Sequence, residues 1–208
     1  DAQSIHEEGL YIPIMKLTNK GRINNSLISI VKANVREPDQ VVGDIYALAT
    51  CNEVGKRRLL DMMSEFKLSD LNRVSKFIFD TSRKATKEKI SSLPNKSATG
   101  SLTIDGYSKP ITIKVKLTIQ KTKIVCDFSG TSEVDTNGIN VPLVYTKAYT
   151  CYALKCAIAP EIPNNTASLE PFKIIAQKNS IVNAIYPSPV ALRHIIGHFI
   201  PDTVYNAL

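Results

Sequence analysis

This chain of 208 residues is expected to adopt an α+β fold, because its apolar residues change period along the chain. They recur with a period of about 3.6 in the first half and of about 2 in the second half. The chain is 43% hydrophobic and 22% charged, which is ordinary for a globular protein with a buried core. We expect a mainly helical region over residues 1–96 and a strand-rich region with two helices over residues 97–208, together forming one compact piece.

About three helices are predicted in the first half. Asn24 or Asn25 can cap the first, which should stop before Pro38. Pro38 suits the first turn of a long second helix running to about Phe66. Ser69 is expected to cap the third. The apolar residues of the first two helices are Leu27, Ile28, Val31 and Val35, then Val41, Ile45, Ala49, Leu59, Met62 and Phe66. A buried stripe is predicted for the third helix: Leu71, Val74, Phe77 and Ile78.

A mostly antiparallel sheet with helices packed on it is predicted in the second half. In "PITIKVKLTIQ" aliphatic residues strictly alternate with polar ones, as in a half-buried strand. The turn "QKTK" leads into "KIVCDF", and "ATGSLTID" adds a third strand. Alternation sends Asp127 to the face opposite the core. A helix from about Pro142 to Ala159, a strand near "PFKIIA" and a last helix from about Arg193 should follow.

The net charge of +7 is concentrated in the middle of the chain. Lys and Arg number 11 against 11 Asp and Glu over residues 1–82, 10 against 2 over residues 83–123, and 5 against 6 over residues 124–208. No aromatic residues interleave with these lysines, as a base-stacking platform requires. A solvated basic face is therefore favoured over an acidic partner chain, and nucleic-acid binding is not expected.

The compartment is expected to be the cytoplasm. No run of about 18 uncharged apolar residues is present, and the first residues lack the basic start and apolar stretch of a secretory signal. The cysteines lie in apolar patterns without the paired spacing of zinc sites, so buried free thiols are favoured over metal ligands or disulfides. The four are Cys51, Cys126, Cys151 and Cys156.

One stripe of the predicted long helix carries residues four, four and three positions apart: Asp44, Leu48, Asn52 and Gly55. Each interior glycine lowers helix propensity by about 1 kcal/mol relative to alanine, which suggests that another group approaches this face closely. The alternative is that the glycines admit a neighbouring helix while Asp44 and Asn52 are simply exposed.

The last helix carries His194, His198 and Asp202 four residues apart, a spacing that can place two imidazoles and a carboxylate on a divalent metal. The pattern is not the His-Glu-x-x-His zinc motif, and Pro201 disturbs the helix between the ligands. A polar stripe facing solvent or another chain is therefore preferred to a metal site or a substrate role. The "HEE" at residues 6–8 is a weaker candidate.

A polar loop, "CDFSGTSEVDTNGINVPL", follows the strand that ends near Asp127. Its "TNG" turn should bring Asn140 back beside the start of a helix. Side-chain amides donate and accept at once and can therefore orient a planar polar ligand. The candidate amides are Asn137, Asn140, Asn164 and Asn165. They are also ordinary turn residues. We expect the loop to line a cleft shared with the helix of His194.

Five segments, in order, carry a family resemblance: "EEGLYIPIMKL", "ANVREPDQVVGDIYA" with "CNEVGKRRLL", "DFSGTSEVDTNGINVPL", "YALKCAIAPEIPNN" and "VALRHIIGHFIPD". The chain resembles the hydantoinase B and 5-oxoprolinase family over essentially its whole length. Relatives of that family include the acetone and acetophenone carboxylases. No Gly-rich phosphate loop or Gly-x-Ser-x-Gly elbow occurs, so the chain alone offers no complete catalytic set.

The resemblance implies part of an ATP-dependent amidohydrolase that opens hydantoin- or 5-oxoproline-type rings. A hydantoinase A-type partner in a hetero-oligomer would phosphorylate the ring carbonyl with ATP. That step makes the carbonyl carbon a strong electrophile, so attack by water then needs a base and donors for the developing charge. A carboxylase-type subunit and a non-catalytic assembly module are the alternatives.

The resemblance also implies which positions form the site. Asp127 and His194 match motif positions with catalytic roles. The positions implied in substrate binding are Asn140, Asn164, Asn165, Arg193, Asp44 and Asn52. Because family members are much longer, the chain is expected to be an internal piece that is inactive alone, with any divalent metal bound mainly outside it.

Overall fold

The computed structural model describes residues 2–208, which divide into two compact units. One unit comprises the residues up to Glu8 together with Val74–Leu208, and the other comprises Gly9–Arg73. Early helices are followed by a mixed sheet with helices packed on it, so the expected α+β class is confirmed.

The Gly9–Arg73 unit consists of a small hairpin and helices. Its elements are β1 (Thr18–Asn19), β2 (Arg22–Ile23), α1 (Asn25–Asn34) and α2 (Pro38–Glu65). Asn24 caps α1 as expected, with its Oδ1 accepting a hydrogen bond from the Leu27 nitrogen at 3.2 Å. A small core holds the unit together: Leu27, Ile28, Val31 and Val42.

Helix α3 (Asn72–Ser91) begins later than a Ser69 cap requires. The Asp70 carboxylate accepts a hydrogen bond from the Asn72 nitrogen at 2.7 Å, so an aspartate turn precedes the helix. The expected Ser69 cap was therefore wrong, because Asp70 competes for the same backbone donors.

The larger unit contains the four-stranded sheet and the helices that cover it. Its elements after α3 are β3 (Lys96–Ile104), β4 (Ile111–Gln120), β5 (Lys123–Asp127), α4 (Leu143–Ile158), α5 (Thr166–Leu169), β6 (Phe172–Ile175), α6 (Arg193–Gly197) and α7 (Phe199–Tyr205). A short 3-10 turn at Ile5–Glu7 belongs to the same unit.

The sheet has the strand order β3-β4-β5-β6. The first three strands are antiparallel, as the alternation predicts, whereas β6 runs parallel to β5. The aliphatic residues of β4 are buried in alternation with more exposed ones. A Cβ at Gly100 of β3 would lie 2.4 Å from the Thr203 carbonyl oxygen, so α7 packs directly on the sheet backbone.

The predicted last helix is two short helices, α6 and α7, which meet at His198. Pro201 lies in the first turn of α7, where a missing N–H costs no hydrogen bond, so the proline favours a new helix start.

The cysteines are all free, but only two are buried. Cys126 and Cys151 lie in the core, as expected. Cys51 and Cys156 are exposed, so their predicted burial was wrong. Both lie on helices whose apolar residues do not all face a core, which a local hydrophobic pattern cannot reveal.

Across residues 2–208, no helix is both long and apolar enough to cross a membrane.

Candidate functional site

The polar loop after β5 is held together by Asn140, whose side chain is fully buried. Its Nδ2 donates to the carbonyl oxygens of Asp135 and Asn137, both at 2.9 Å, and to that of Pro189 at 3.0 Å. Its Oδ1 accepts a hydrogen bond from the Asp135 nitrogen at 2.7 Å. The amide thus ties the loop to the segment that precedes α6, and its hydrogen bonds are made within the chain.

Asp127 lies at the end of β5 and is half-buried. Its Oδ1 accepts hydrogen bonds from the Ser129 nitrogen at 2.9 Å and from the Ser129 hydroxyl at 2.7 Å. The following residue, Phe128, is fully buried, so Asp127 leaves the core as alternation predicts. Its second oxygen accepts no hydrogen bond from residues 2–208 and remains available to a ligand or to water.

The N-terminal segment of the larger unit reaches this region through Glu8. Glu8 Oε1 accepts hydrogen bonds from the backbone nitrogens of Val190 and Ala191, the second at 2.6 Å. A Cβ at Gly138 would lie 3.3 Å from the same oxygen, and the Gly138 carbonyl accepts a hydrogen bond from the Leu192 nitrogen at 2.8 Å. Glu8, the polar loop and the segment before α6 therefore meet at one junction.

Directly after this junction, α6 begins with Arg193 and His194, both at its first turn. The rings of His194 and His198 have centroids 6.1 Å apart, and the ring of Tyr149 lies 6.0 Å from that of His198. Tyr145 stacks on Tyr149 at 4.5 Å between centroids. These two tyrosines and two histidines are termed the phenol–imidazole cluster.

The cluster depends on close packing between α4 and α6. Tyr145 and Tyr149 are four residues apart on α4, which places both rings on one helix face. A Cβ at Gly197 would lie 2.3 Å from Tyr145 Cε1, so only glycine leaves room for the ring at this position.

The chemistry of the cluster follows from its groups. Burial raises the pKa of the Tyr145 phenol above 10.0, the hydrogen bond with Tyr149 raises it further, and the charge of Arg193 opposes the rise. The phenol is therefore protonated near neutral pH and can donate to a developing oxyanion. An imidazole is the side chain best suited to take up or release a proton near pH 7.

Asn165 and Asn164 have different surroundings. The Asn165 side chain caps α5, accepting hydrogen bonds from the Ala167 and Ser168 nitrogens at 2.9 Å, and its Nδ2 donates to the Ser82 hydroxyl at 2.9 Å. Asn164 is exposed and lines a recess of about 480 Å³ beside α4. Of these two residues, only Asn164 keeps its amide free for a ligand within the described chain.

The three-ligand metal site that the spacing allows, the less favoured alternative, is not assembled. His198 lies at the break between α6 and α7, and the part of the chain from residue 2 onward contains no group of three or more His, Cys, Asp or Glu side chains placed to hold a metal ion. His194, His198 and Asp202 therefore do not fit a divalent metal as a three-ligand site, and no step is derived through one.

Asp44 and Asn52 are exposed on α2, within the Gly9–Arg73 unit. A Cβ added at Gly43 or Gly55 would meet nothing within 4 Å in the described chain. Close packing of a neighbouring helix, one explanation for these glycines, is therefore not observed there.

Sequence reasoning missed three members of the site: Tyr145, Tyr149 and the Glu8 contact. The four-residue spacing of the tyrosines was a usable signal. Glu8 was only part of a weak acidic candidate, because its partners lie more than 180 residues away along the chain.

A model of the hydantoinase B/oxoprolinase family matches residues 1–208. The B component of a putative D-/L-hydantoinase from Pseudomonas sp. (strain NS671) is 28% identical over 222 residues, which cover 100% of this chain and 38% of that protein. The 5-oxoprolinase of Dictyostelium discoideum is 24% identical over 213 residues, covering 99% of this chain and 17% of that protein.

Two solved structures share the fold. An ATP-dependent caprolactamase from Pseudomonas jessenii superposes with a TM-score of 0.82 at 18% identity, covering 96% of this chain and 34% of that one. A nucleotide-free acetone carboxylase gives a TM-score of 0.75 at 12% identity, covering 97% of this chain and 28% of that one. The chain thus spans well under half the length of these proteins.

Proposed function

The chain belongs to the hydantoinase B/oxoprolinase family, and we propose that it forms part of an ATP-dependent enzyme that opens cyclic amides of the hydantoin or 5-oxoproline type. The family match over the whole chain carries this proposal. The phenol–imidazole cluster supports it by offering a proton acceptor, phenol donors and a nearby guanidinium on one surface.

The partner is a hydantoinase A-type chain in a hetero-oligomer, since one relative is named as one of the subunits of a hydantoinase. The partner transfers the γ-phosphoryl group of ATP to the ring carbonyl oxygen. Water then adds to the carbonyl carbon, and the ring C–N bond breaks as the nitrogen gains a proton, which leaves an acyl phosphate. A second water hydrolyses the acyl phosphate. The products are a ring-opened carboxylate, free phosphate and the ADP formed in the first step.

Within this chain, His194 takes the proton from the attacking water. The phenols of Tyr145 and Tyr149 donate to the oxygen that gains negative charge, and Arg193 stabilises that charge. Asp127 offers its free carboxylate oxygen as a second proton acceptor.

Three asparagines have supporting roles in the proposal. Asn140 positions the loop against the segment before α6, and Asn165 fixes the turn that presents Asn164. Asn164 presents its amide in the recess beside α4.

The test is an ATP-turnover assay on the full gene product expressed with its A-type partner. Hydantoin, 5-oxoproline and caprolactam are offered as substrates, with and without bicarbonate. Stimulation by a cyclic amide without bicarbonate supports the proposal. Stimulation that requires bicarbonate, or none across the panel, overturns it.

Point variants then assign the roles. His194→Ala should lower ring-opening turnover by about 100-fold or more, because general-base catalysis contributes about that much. His6→Ala is the matched control, since His6 is also exposed and lies outside the cluster. Full turnover in His194→Ala contradicts the assignment, and loss of assembly by size-exclusion chromatography favours a structural module instead.

A further inference from the structure

A recess of about 480 Å³ lies beside the C-terminal half of α4. Cys151, Ile162 and Leu169 give it apolar walls, while Lys155, Asn164 and Glu161 contribute polar groups. Tyr149 of the phenol–imidazole cluster lies six positions before Lys155 on α4, or about 9 Å along the helix axis. The recess is therefore distinct from the cluster.

Lys155 is buried in the wall of this recess, with 5% of its surface exposed. Its ammonium donates to the Ile162 carbonyl oxygen at 2.5 Å, which uses one of its three N–H groups. No carboxylate of residues 2–208 lies within ion-pair distance of it. Glu161 is instead paired with Lys89 at 2.7 Å.

A buried ammonium without an ion-pair partner is energetically costly, because its hydration is lost and one carbonyl replaces only part of it. Burial accordingly lowers the pKa of Lys155, and the charge of Glu161, which acts from beyond ion-pair distance, opposes part of that shift. An anion in the recess would supply the missing acceptor. Asn164 adds a second donor, because its amide has no hydrogen-bond partner among the described residues.

We propose that this recess binds a small aliphatic monocarboxylate, with one oxygen accepting from Lys155 and the other from Asn164. The apolar walls take the hydrocarbon chain, and the volume is in the ordinary range for a small-molecule site. The proposed ring opening yields a product of this class, but the inference depends only on the charge and shape of the recess.

Isothermal titration calorimetry of the full chain with hexanoate and with hexanamide tests the site. The two probes share a hydrocarbon chain and differ in charge. Hexanoate should bind saturably, and hexanamide about tenfold more weakly or worse, because a charge-assisted hydrogen bond is roughly twice as strong as a neutral one.

Variants locate the binding. Lys155→Met keeps an unbranched side chain one atom shorter and removes the charge, and should weaken hexanoate binding about tenfold or more. Asn164→Ala should weaken it several-fold, and because Asn164 is exposed this variant tests the site even if Lys155→Met unfolds. Lys109→Met, at an exposed loop lysine, is the control and should bind normally.

Three outcomes overturn the proposal: no saturable binding of hexanoate, equal binding of hexanamide, or unchanged binding by folded Lys155→Met and Asn164→Ala. Circular dichroism establishes that each variant is folded. None of these outcomes depends on ATP turnover, so failure here is distinguishable from failure of the proposed ring opening.

Discussion

At the scale of single residues, Asn140 combines full burial with four hydrogen bonds to backbone groups. Asn140→Ala leaves those groups without partners, and we expect the free energy of unfolding to fall by about 3 kcal/mol. Urea denaturation followed by circular dichroism measures the change. Asn164→Ala removes an exposed amide and should cost less than about 0.5 kcal/mol. Equal losses in the two variants would contradict the structural role of Asn140.

The buried thiols predict how stability responds to alkaline pH. Burial raises the pKa of Cys126 from 9.0 to about 12 and that of Cys151 from 9.0 to about 11. Both thiols hold their protons more tightly in the folded chain than in the unfolded chain. Their contribution to stability is therefore complete below pH 9 and is lost as the pH rises through their pKa values in the folded chain.

The free energy of unfolding should therefore decline above pH 9, by up to about 1.4 kcal/mol per pH unit for each thiol. Denaturant titrations from pH 8 to about 11 measure the slope. Cys126→Val should flatten it, whereas Cys51→Val, at an exposed thiol, should leave it unchanged. If stability still declined above pH 9 after both Cys126 and Cys151 were replaced, other groups would be responsible for the decline.

Asp127 and the asparagines show which single-residue features could be predicted from the sequence. That Asp127 leaves the core followed from strand alternation alone. The sequence could not predict whether an asparagine amide binds a ligand or the backbone, because both kinds of contact need the same donor and acceptor. Asn140 and Asn165 both form hydrogen bonds with backbone groups. Their partners include the Pro189 carbonyl for Asn140 and the Ser82 hydroxyl for Asn165, each more than 45 residues away along the chain.

At the scale of elements, the contact between α4 and α6 depends on Gly197. Gly197→Ala would place a methyl group 2.3 Å from the Tyr145 ring, which must move out of its stack with Tyr149. We expect a loss of about 1–3 kcal/mol in the free energy of unfolding, as for other overpacked sites. Turnover of the full assembly should also fall, because the phenol is displaced.

Gly55→Ala is the matched control for that substitution. Its added Cβ would meet nothing within 4 Å on α2, so only helix propensity changes, and the variant should gain up to about 1 kcal/mol. Thermal denaturation of both variants shows whether each substitution raises or lowers the stability. Gly197→Ala with unchanged stability and turnover would mean that Tyr145 is not held in the stack.

Element positions were predictable where the pattern was long and regular. The ten-residue strand β4 and the helix α4 lie close to their expected bounds. The break at His198 was not predicted, because the chain before and after it reads as one helical period and Pro201 suits either a kink or a new first turn. The parallel pairing of β6 with β5 was also hidden, since it joins segments about 50 residues apart.

At the scale of the whole molecule, the two units differ in how much they bury. The core cluster of the larger unit includes the fully buried Ile113, Ile124, Phe128 and Leu154. The core of Gly9–Arg73 consists of only four buried residues, and Val42 is the only buried residue along the 28 residues of α2. The buried stripe predicted on α3 was also wrong, since Val74, Phe77 and Ile78 are exposed. An apolar pattern cannot tell which apolar residues have something to pack against.

This difference predicts that backbone amides in the two units of the isolated chain are unequally protected from hydrogen exchange. Local opening requires less free energy where few apolar contacts must be broken, so amides of α2 should exchange with deuterium orders of magnitude faster than those of β4. The helix α4, which is largely buried, is the matched control because it shares the hydrogen-bond geometry of α2. Hydrogen–deuterium exchange with mass spectrometry should show α4 protected like β4. If α4 instead exchanged as fast as α2, secondary structure rather than burial would set the stability. If α2 were as protected as β4, its few buried contacts would not limit the stability of the unit.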